Sequence, residues 1–136
     1  MQYRLEAQAG YLLRQANQRH VAIFGGLVGD RLTTTQWSAL VKLRDVAPCS
    51  QNQLGRETSM DVATIKGVVD RLVKRGLVAT SRDLRYARRV VLSLTHEGEA
   101  AVGRNLAAAA SATEETLAPL TPGERMLFLE MLRKIC

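Results

Sequence analysis

Residues 61–78 limit the possible folds of this chain more than any other segment does. An apolar pattern with helical spacing there is followed by a glycine that ends the helix. Small, polar and basic residues fill the positions between the apolar ones, and Gly76 follows. The spacing therefore predicts an amphipathic helix that stops at Gly76 and leads into a short strand. Its apolar residues recur at the i, i+3, i+4 and i+7 positions of one face: Ile65, Val68, Val69 and Leu72.

Two candidate strands follow this helix. Strand one is predicted at about residues 77–80, and strand two at about residues 89–94. In the second strand Val90, Leu92 and Leu94 share one face. The pattern predicts a β-hairpin with a basic connection, which carries Arg82, Arg85, Arg88 and Arg89.

A shorter helix precedes the amphipathic one. Residues 50–53 match a capping box, in which a serine hydroxyl accepts the N–H of the fourth residue, and they open a helix that carries Leu54. Residues 58–61 then make a tight turn. A short helix, a turn and a longer helix form a helix-turn-helix unit, and the hairpin after it makes the unit winged.

Further helices flank this unit on both sides. Apolar residues recur with a helical period over residues 5–27, and a capping box at residues 33–36 opens the next helix. A long helix is capped by Thr95, and a third box at residues 121–124 opens the last helix. The predicted fold class is therefore mainly α with a small β-hairpin wing.

The helices near both ends are more apolar than a small winged domain needs. A second copy of the chain would bury them most economically. In a twofold dimer the two copies of the amphipathic helix that starts at residue 61, the recognition helix of a helix-turn-helix, would lie roughly 34 Å apart on a DNA duplex. The alternative is a monomer whose terminal helices pack on their own module. We predict a homodimer of one domain, residues 1–136, with a winged helix-turn-helix module at 33–95 and dimerisation helices at 1–30 and 96–136.

The net charge of +6 is concentrated in one quarter of the chain. Residues 56–89 contain nine basic and four acidic residues, which leaves +5. Scattered basic residues usually form a solvated surface, whereas this cluster on a helix and a hairpin favours binding of a polyanion, double-stranded DNA. Aromatic residues make up 4% of the chain, too few for a platform that stacks single-stranded bases.

The predicted recognition helix offers base contacts at its start and phosphate contacts around it. Ala63 and Thr64 are placed to meet a thymine methyl, and Lys66 to read guanine O6 or N7. Thr64 fits an ordinary first-turn helix residue equally well. Asp70 is expected to orient a neighbouring arginine, since phosphates repel a bare carboxylate. Gly67 shares the outer face, and phosphate contacts are predicted for Ser50, Gln51, Gln53, Arg56, Ser59 and Arg71.

No pattern of catalytic or metal-binding residues stands out. The chain has two histidines, no glycine-rich phosphate loop and no paired acids in an apolar context. Cys49 and Cys136 lie far apart, and Cys49 fits an inert thiol better than a redox sensor. We therefore expect no enzymatic activity, no metal and no cofactor.

The chain also has no apolar run of membrane-spanning length and no signal-peptide core, so we expect a cytoplasmic protein without membrane contact.

The order of elements resembles the MarR family of bacterial transcriptional regulators. The string V-D-R-L-V-K-R-G-L-V at residues 69–78, the string L-S-L-T at residues 92–95 and Gly98 carry the resemblance, which spans almost the whole chain. It implies an obligate dimer that binds pseudo-palindromic operators, usually as a repressor. It also implies release from DNA when a small, often aromatic and anionic ligand binds between the dimer helices and the DNA module.

The wing departs from the family pattern at three positions, of which the two charged ones, at residues 86 and 87, matter for DNA binding. The family usually reads D-P-x-D-R-R before the second strand, whereas residues 83–88 read D-L-R-Y-A-R. Tyr86 replaces the second acid and Ala87 the first of the paired arginines, so the usual ion pair at the wing base is absent or rebuilt. We expect Arg85 or Arg88 to reach the minor groove instead, with Arg82 as a further DNA contact.

His20 lies on the apolar stripe of the first helix, between Arg19 and, one turn later, Phe24. One interpretation is a buried histidine satisfied by a dimer contact. The other is an effector pocket in which His20 or Arg19 binds a carboxylate, Phe24 and Trp37 hold a ring, and Tyr11 contributes from either chain. Because the string at residues 63–69 resembles members that control aromatic breakdown, we expect a hydroxylated aromatic or pyridine carboxylate as the effector.

These patterns predict a dimeric, ligand-responsive, sequence-specific DNA-binding repressor. Two alternatives use the same residues: a non-specific or architectural DNA-binding protein, and a winged-helix protein-interaction module. Competition with random duplex separates the first, since a specific reader keeps a ratio of at least about 10³ over bulk DNA. The local charge of +5 argues against the second, which a salt-insensitive binding constant would favour.

Overall fold

The computed structural model describes residues 1–85 and 88–136, and within them the chain forms six α-helices and one β-hairpin. This architecture confirms the predicted fold class, mainly α with a small β-hairpin wing. None of these described helices is long and apolar enough to cross a bilayer. In chain order the elements are a 3-10 turn (Leu5–Ala7), α1 (Ala9–Leu27), α2 (Thr34–Val46), α3 (Gln51–Glu57), α4 (Val62–Lys74), β1 (Val78–Asp83), β2 (Arg89–Leu94), α5 (His96–Thr116) and α6 (Pro122–Ile135).

The chain divides into two compact units. The terminal unit comprises residues 1–28 and 107–136, and the central unit comprises residues 29–106. The central unit holds the helix-turn-helix, the hairpin and the first half of α5. That residues 1–136 form one domain stays a prediction.

The first helix is shorter than its apolar pattern predicts. We expected helical periodicity from residue 5, but Gln8 has an extended backbone (ψ 137°) and separates the 3-10 turn from α1. At its other end α1 continues through Gly25 and Gly26 to Leu27. The two glycines therefore lower helix propensity without ending the helix.

Capping residues set the starts of most helices, as the sequence indicates. Reciprocal capping boxes form at Thr33 with Gln36 and at Thr121 with Glu124, which confirms both predictions. At Ser50 the hydroxyl accepts the N–H of Gln53 at 3.1 Å, which is one half of the predicted box. Thr95 accepts the N–H of Gly98 at 3.0 Å and so caps α5.

The core of the central unit is built on the predicted apolar face of α4. Ile65, Val68, Val69 and Leu72 are all at most 4% exposed, which confirms that face. Full burial of each such side chain contributes about 2 kcal/mol, an upper value because unfolded chains already bury part of this area. The opposite face of α4 is therefore fixed toward solvent. Fully buried leucines of α2 and α3 belong to the same core: Leu40, Leu43 and Leu54.

The recognition-helix candidate ends as predicted, but the strand after it is displaced. Gly76 adopts a left-handed conformation (φ 74°) that suits glycine, and its carbonyl accepts the Thr95 hydroxyl at 2.6 Å. We predicted strand one at about residues 77–80, whereas β1 runs from Val78 to Asp83 and pairs with β2 over six residues. The extension was missed because Ser81 to Asp83 are polar and give no apolar alternation. Strand two has the predicted bounds.

Candidate nucleic-acid interface and effector site

The α3–α4 turn places one helix tightly against the other. The Met60 N–H donates to the Gly55 carbonyl at 2.9 Å, and Ser59 adopts a left-handed conformation (φ 56°) within the turn. A Cβ on Gly55 would lie 3.1 Å from Ile65 Cγ2, closer than nine in ten real Cβ contacts. The glycine thus permits the close crossing that holds the outer face of α4 in place.

The exposed start of α4 carries small side chains. Ala63 and Thr64 are exposed, and Gly67 is half-buried. The Asp61 carboxylate accepts the Thr64 N–H at 2.7 Å and caps the helix. This hydrogen bond lowers the pKa of Asp61, since it stabilises the charged form. The structure thereby brings the proposed base-reading residues together at one exposed helix end.

We predicted an arginine partner for Asp70, but its carboxylate pairs with a lysine. Lys66 Nζ lies 2.8 Å from Asp70 Oδ2, and both side chains are about two-thirds exposed (66% and 60%). The pair follows from helix geometry, because residues four apart lie on the same face. Arg71 instead lies over Gly67, where an added Cβ would be 3.3 Å from Arg71 Nη1. Lys66 must therefore leave or share Asp70 before it binds a base.

Five of the six predicted phosphate-binding residues lie in the same unit on and beside α3, and the sixth, Arg71, lies on α4. Arg56 and Ser59 are exposed, whereas Ser50, Gln51 and Gln53 are half-buried. Because the Ser50 hydroxyl oxygen already accepts the N–H of Gln53, its proton remains available for a phosphate oxygen.

The wing carries arginines with different surroundings. Arg82 Nη1 donates to the Arg88 carbonyl at 3.1 Å, and the Arg85 N–H donates to the Asp83 carboxylate at 3.0 Å. The side chains of Arg85 and Arg88 are exposed. The predicted departure from the family wing falls on Tyr86 and Ala87, which lie outside the described residues.

The first effector candidates lie in the terminal unit. Thr116 Oγ1 donates to the Ala112 carbonyl at 2.7 Å, so it accepts from His20 Nδ1, which lies 2.8 Å away. The proton on Nδ1 leaves Nε2 as the nitrogen that can bind a ligand. The rings of His20 and Phe24 are 6.2 Å apart, but Phe24 is only 5% exposed.

Arg19 and Tyr11 have partners of their own. The Arg19 guanidinium donates to the carbonyls of Glu115 and Thr116 and so caps the C-terminus of α5. The Tyr11 hydroxyl accepts from Gln15 at 3.2 Å. Trp37, the fifth candidate, belongs to the central unit.

A cavity of about 230 Å³ adjoins His20 within the terminal unit. Sequence reasoning missed its other walls, because they come from α5 and α6, about a hundred residues away, and no local motif marks them. The lining residues include Thr113, Thr116, Leu117, Phe128, Leu129 and Leu132.

Cys49 has the surroundings of an inert thiol. It is fully buried, and its backbone bridges to Leu92 of β2. Burial raises the pKa of the Cys49 thiol above its ordinary value, which disfavours the reactive thiolate. Among residues 1–85 and 88–136, no three His, Cys, Asp or Glu side chains group as metal ligands.

The sequence and structure are similar to known regulators. The profile of the MarR family matches residues 32–90. The chain is 41% identical to the HTH-type transcriptional repressor NicR of Pseudomonas putida, over 98% of this chain and 85% of that protein. Both matches include the helix-turn-helix and the exposed face of α4.

Two solved structures are similar to this chain in both sequence and fold. A probable transcriptional regulator from Pseudomonas aeruginosa is 49% identical with a TM-score of 0.94, and the match covers 98% of this chain and 100% of that one. Bordetella bronchiseptica BpsR, whose DNA binding is regulated by 6-hydroxynicotinic acid, is 39% identical with a TM-score of 0.93. That match covers 99% of this chain and 97% of BpsR.

Proposed function

The chain belongs to the MarR family, and from this premise we propose that it is a homodimeric repressor that binds a pseudo-palindromic operator and leaves it when a small aromatic ligand binds. The observation that carries the proposal is the outer face of α4. It is held outward by a fully buried apolar face, and its segment bears a local charge of +5. A fixed, basic helix of this kind suits the major groove of DNA.

Each part of this surface has a role in the proposal. Ala63 and Thr64 contact thymine methyls, Gly67 allows close approach, and Lys66 reads guanine after exchanging its bond to Asp70. Arg71 and the α3 residues bind phosphates and set the register. The arginines of the wing extend the contact beyond the major groove: Arg82, Arg85 and Arg88.

Dimerisation is supported by apolar side chains that one chain leaves in water. An apolar groove of about 400 Å³ runs between α1 and α6. Its lining includes Leu12, Met131 and Ile135, which are 50%, 56% and 69% exposed. Burial of this surface in a second copy would remove a large exposed apolar patch. The resulting twofold symmetry would match two operator half-sites.

The effector proposed here is a hydroxylated pyridine carboxylate. 6-Hydroxynicotinic acid regulates the DNA binding of BpsR, and NicR, a transcriptional repressor, is 41% identical to this chain. A ring hydroxyl or pyridone N–H can donate to the free Nε2 of His20, and the adjoining cavity is lined by apolar side chains that suit a ring. Tyr11, Arg19, Phe24 and Trp37 stay predicted contributors, and Arg19 would have to leave the end of α5 to bind a carboxylate.

DNA recognition is tested by selection and competition. Fragments of the source genome are selected on the wild-type protein, and the bound duplex then competes with random duplex. We expect a ratio of at least about 10³ and an affinity that falls steeply with salt. Lys66→Ala should weaken binding to the operator by about 1–3 kcal/mol and relax the preference at one base position. Arg44→Ala removes an exposed cation outside residues 56–89 and should change the operator affinity little. A ratio near one would favour the architectural alternative, and salt-insensitive binding would favour the protein-interaction module.

The effector is tested with the fluorescence of Trp37, the single tryptophan of the chain. We expect a saturable change with 6-hydroxynicotinic acid and release of the selected duplex. His20→Gln should weaken both responses, whereas His96→Gln, at an exposed position, serves as the matched control. A panel of aromatic acids that gives neither response would refute the effector proposal and leave DNA binding untouched.

A further inference from the structure

The loop before α2 holds an unusual backbone. Asp30 and Arg31 are consecutive non-glycine residues with left-handed φ angles of 58° and 52°. Such residues rarely occupy this region, because Cβ crowds the following carbonyl oxygen. Two of them in succession require outside contacts that hold the loop.

The Asp30 side chain supplies one set of these contacts. Its carboxylate accepts from Arg104 Nη2 at 3.0 Å and from Asn105 Nδ2 at 2.7 Å. Asn105 is only 4% exposed, and its Oδ1 accepts the N–H of Gly29 at 2.8 Å. Charge and hydrogen bonds therefore fix the loop on the first half of α5.

Arg75, the C-cap residue of α4, supplies the second set. Its guanidinium donates to the carbonyls of Asp30 and Arg31, the latter at 3.4 Å. It also donates to Gln36 Oε1 at 3.4 Å, the same atom that closes the capping box of α2. One planar fork thus connects the end of α4, the loop and the start of α2.

We propose that Arg75 is a positioning residue for DNA recognition, which sets the angle of α4 through the loop at Asp30 and Arg31 and makes no phosphate contact itself. The inference rests on the proposed DNA-binding function. From the sequence, Arg75 counts toward the local charge of +5 like its neighbours. In the structure its donors are directed at protein carbonyls, which separates it from Arg71 in α4.

This assignment predicts different patterns of loss for two variants that remove the same charge. Arg75→Gln should weaken binding of the selected operator by about tenfold, because a specific fit depends on helix position. It should leave the salt slope and the affinity for random duplex near the wild-type values. Arg71→Gln should reduce the salt slope by about 0.9, the loss of one phosphate contact, and weaken both duplexes alike.

Arg75→Lys provides the decisive comparison. A lysine keeps the charge and could replace a phosphate contact, but a single ammonium cannot bridge three acceptors on two elements as the planar guanidinium does. We therefore expect Arg75→Lys to bind the operator as weakly as Arg75→Gln does. Fluorescence anisotropy on labelled duplexes from low to moderate salt measures all three quantities, and circular dichroism confirms that each variant is folded at the working temperature.

Two results would overturn the inference. One is a lower salt slope in Arg75→Gln that lysine restores, since this identifies a phosphate contact. The other is unchanged operator affinity in folded Arg75→Lys, which also decides the matter if the glutamine variant does not fold. A wild-type protein that fails to discriminate between selected and random duplex would instead refute the proposed function itself.

Discussion

The terminal and central units use similar apolar residues with opposite outcomes. Of the twenty hydrophobic residues buried in the described chain, sixteen lie in the central unit and four in the terminal unit. The terminal unit instead holds most of the large exposed ones among the described residues, such as Leu12, Leu127 and Ile135. One unit completes its own core, and the other leaves apolar surface uncovered.

This difference separates folding from assembly. Burial of α4 within one chain stabilises the helix-turn-helix whether or not a partner is present. The exposed faces of α1 and α6 gain that stabilisation only when a second surface covers them, so their contribution depends on protein concentration. The two units should therefore respond differently to equivalent substitutions.

The largest effect is expected for a core truncation in the central unit. Leu40 is fully buried, so Leu40→Ala should lower the free energy of unfolding by about 3 kcal/mol, from lost burial and the cavity left behind. Urea unfolding at fixed protein concentration measures the change. Leu84→Ala, at a position 90% exposed, should stay within about 0.5 kcal/mol. Equal losses at both positions would contradict the description of the central core.

A charge in the apolar groove tests the terminal unit. Met131→Glu should weaken the dimer by about a hundredfold, since an unpaired carboxylate would be buried at the interface. Sedimentation over a range of concentrations measures the dissociation constant. Lys134→Gln changes the charge by the same amount on the same helix and should have a small effect. A Met131→Glu protein that remains dimeric would show that another surface forms the dimer.

Glycine packing in α5 gives the next effect. A Cβ on Gly98 would lie 2.1 Å from the Leu77 carbonyl oxygen, so Gly98→Ala must move backbone and should cost about 2 kcal/mol. Gly103 lies in the same helix with nothing within 4 Å of its added Cβ, so Gly103→Ala should stabilise by about 0.5–1 kcal/mol. Thermal unfolding of the pair tests the contrast. A destabilised Gly103→Ala would reveal a partner chain against this part of α5.

A smaller gain is expected in the helix-turn-helix. Ser59 pays a left-handed penalty that glycine avoids, so Ser59→Gly should stabilise by about 0.5 kcal/mol after the greater flexibility of unfolded glycine is subtracted. Glu57→Gly, two residues earlier at the last helical position of α3, should destabilise by about 1 kcal/mol. Operator affinity of Ser59→Gly then reports how far the serine hydroxyl contacts phosphate. A destabilised Ser59→Gly protein would argue against the turn conformation described.

The smallest effect concerns acid stability, in which the two units should behave alike. Asp61 and Glu124 cap α4 and α6, and backbone N–H donors lower the pKa of both carboxyls below their ordinary values of 3.8 and 4.5. Each cap therefore stabilises above its ordinary pKa and loses this contribution as the pH falls through the lowered pKa. Urea unfolding from neutral to acid pH should show Asp61→Asn and Glu124→Gln converging on the wild type. Free energies of unfolding that diverge at low pH would contradict the direction of the two pKa shifts.

Local patterns predicted the elements whose causes are local. The apolar face of α4, the two reciprocal capping boxes and the stop at Gly76 all follow from residues within a few positions of one another. The same reasoning placed β1 too early, because its last three residues are held by pairing with β2 and not by their own pattern. It also predicted an arginine partner for Asp70, whereas the side-chain rotamers in the structure bring Lys66 to the Asp70 carboxylate.

The candidate sites divide in the same way. The exposed residues of α4 could be named from periodicity, since a buried face fixes its opposite. The walls of the cavity beside His20 and the bonds of Arg19 to the end of α5 could not, because they join residues almost a hundred positions apart. Charge counting likewise could not separate Arg71 from Arg75.

The winged helix-turn-helix, the location of its basic face and the family all follow from the order of the amino acids, because periodicity, caps and short motifs act within a few residues. The contacts of the side chains on these elements depend on the three-dimensional fold. It directed Arg75 to the carbonyls of Asp30 and Arg31, tied Arg19 to α5, and left the groove between α1 and α6 open. These outcomes depend on which distant segments meet, and long-range packing sets that, not local propensity.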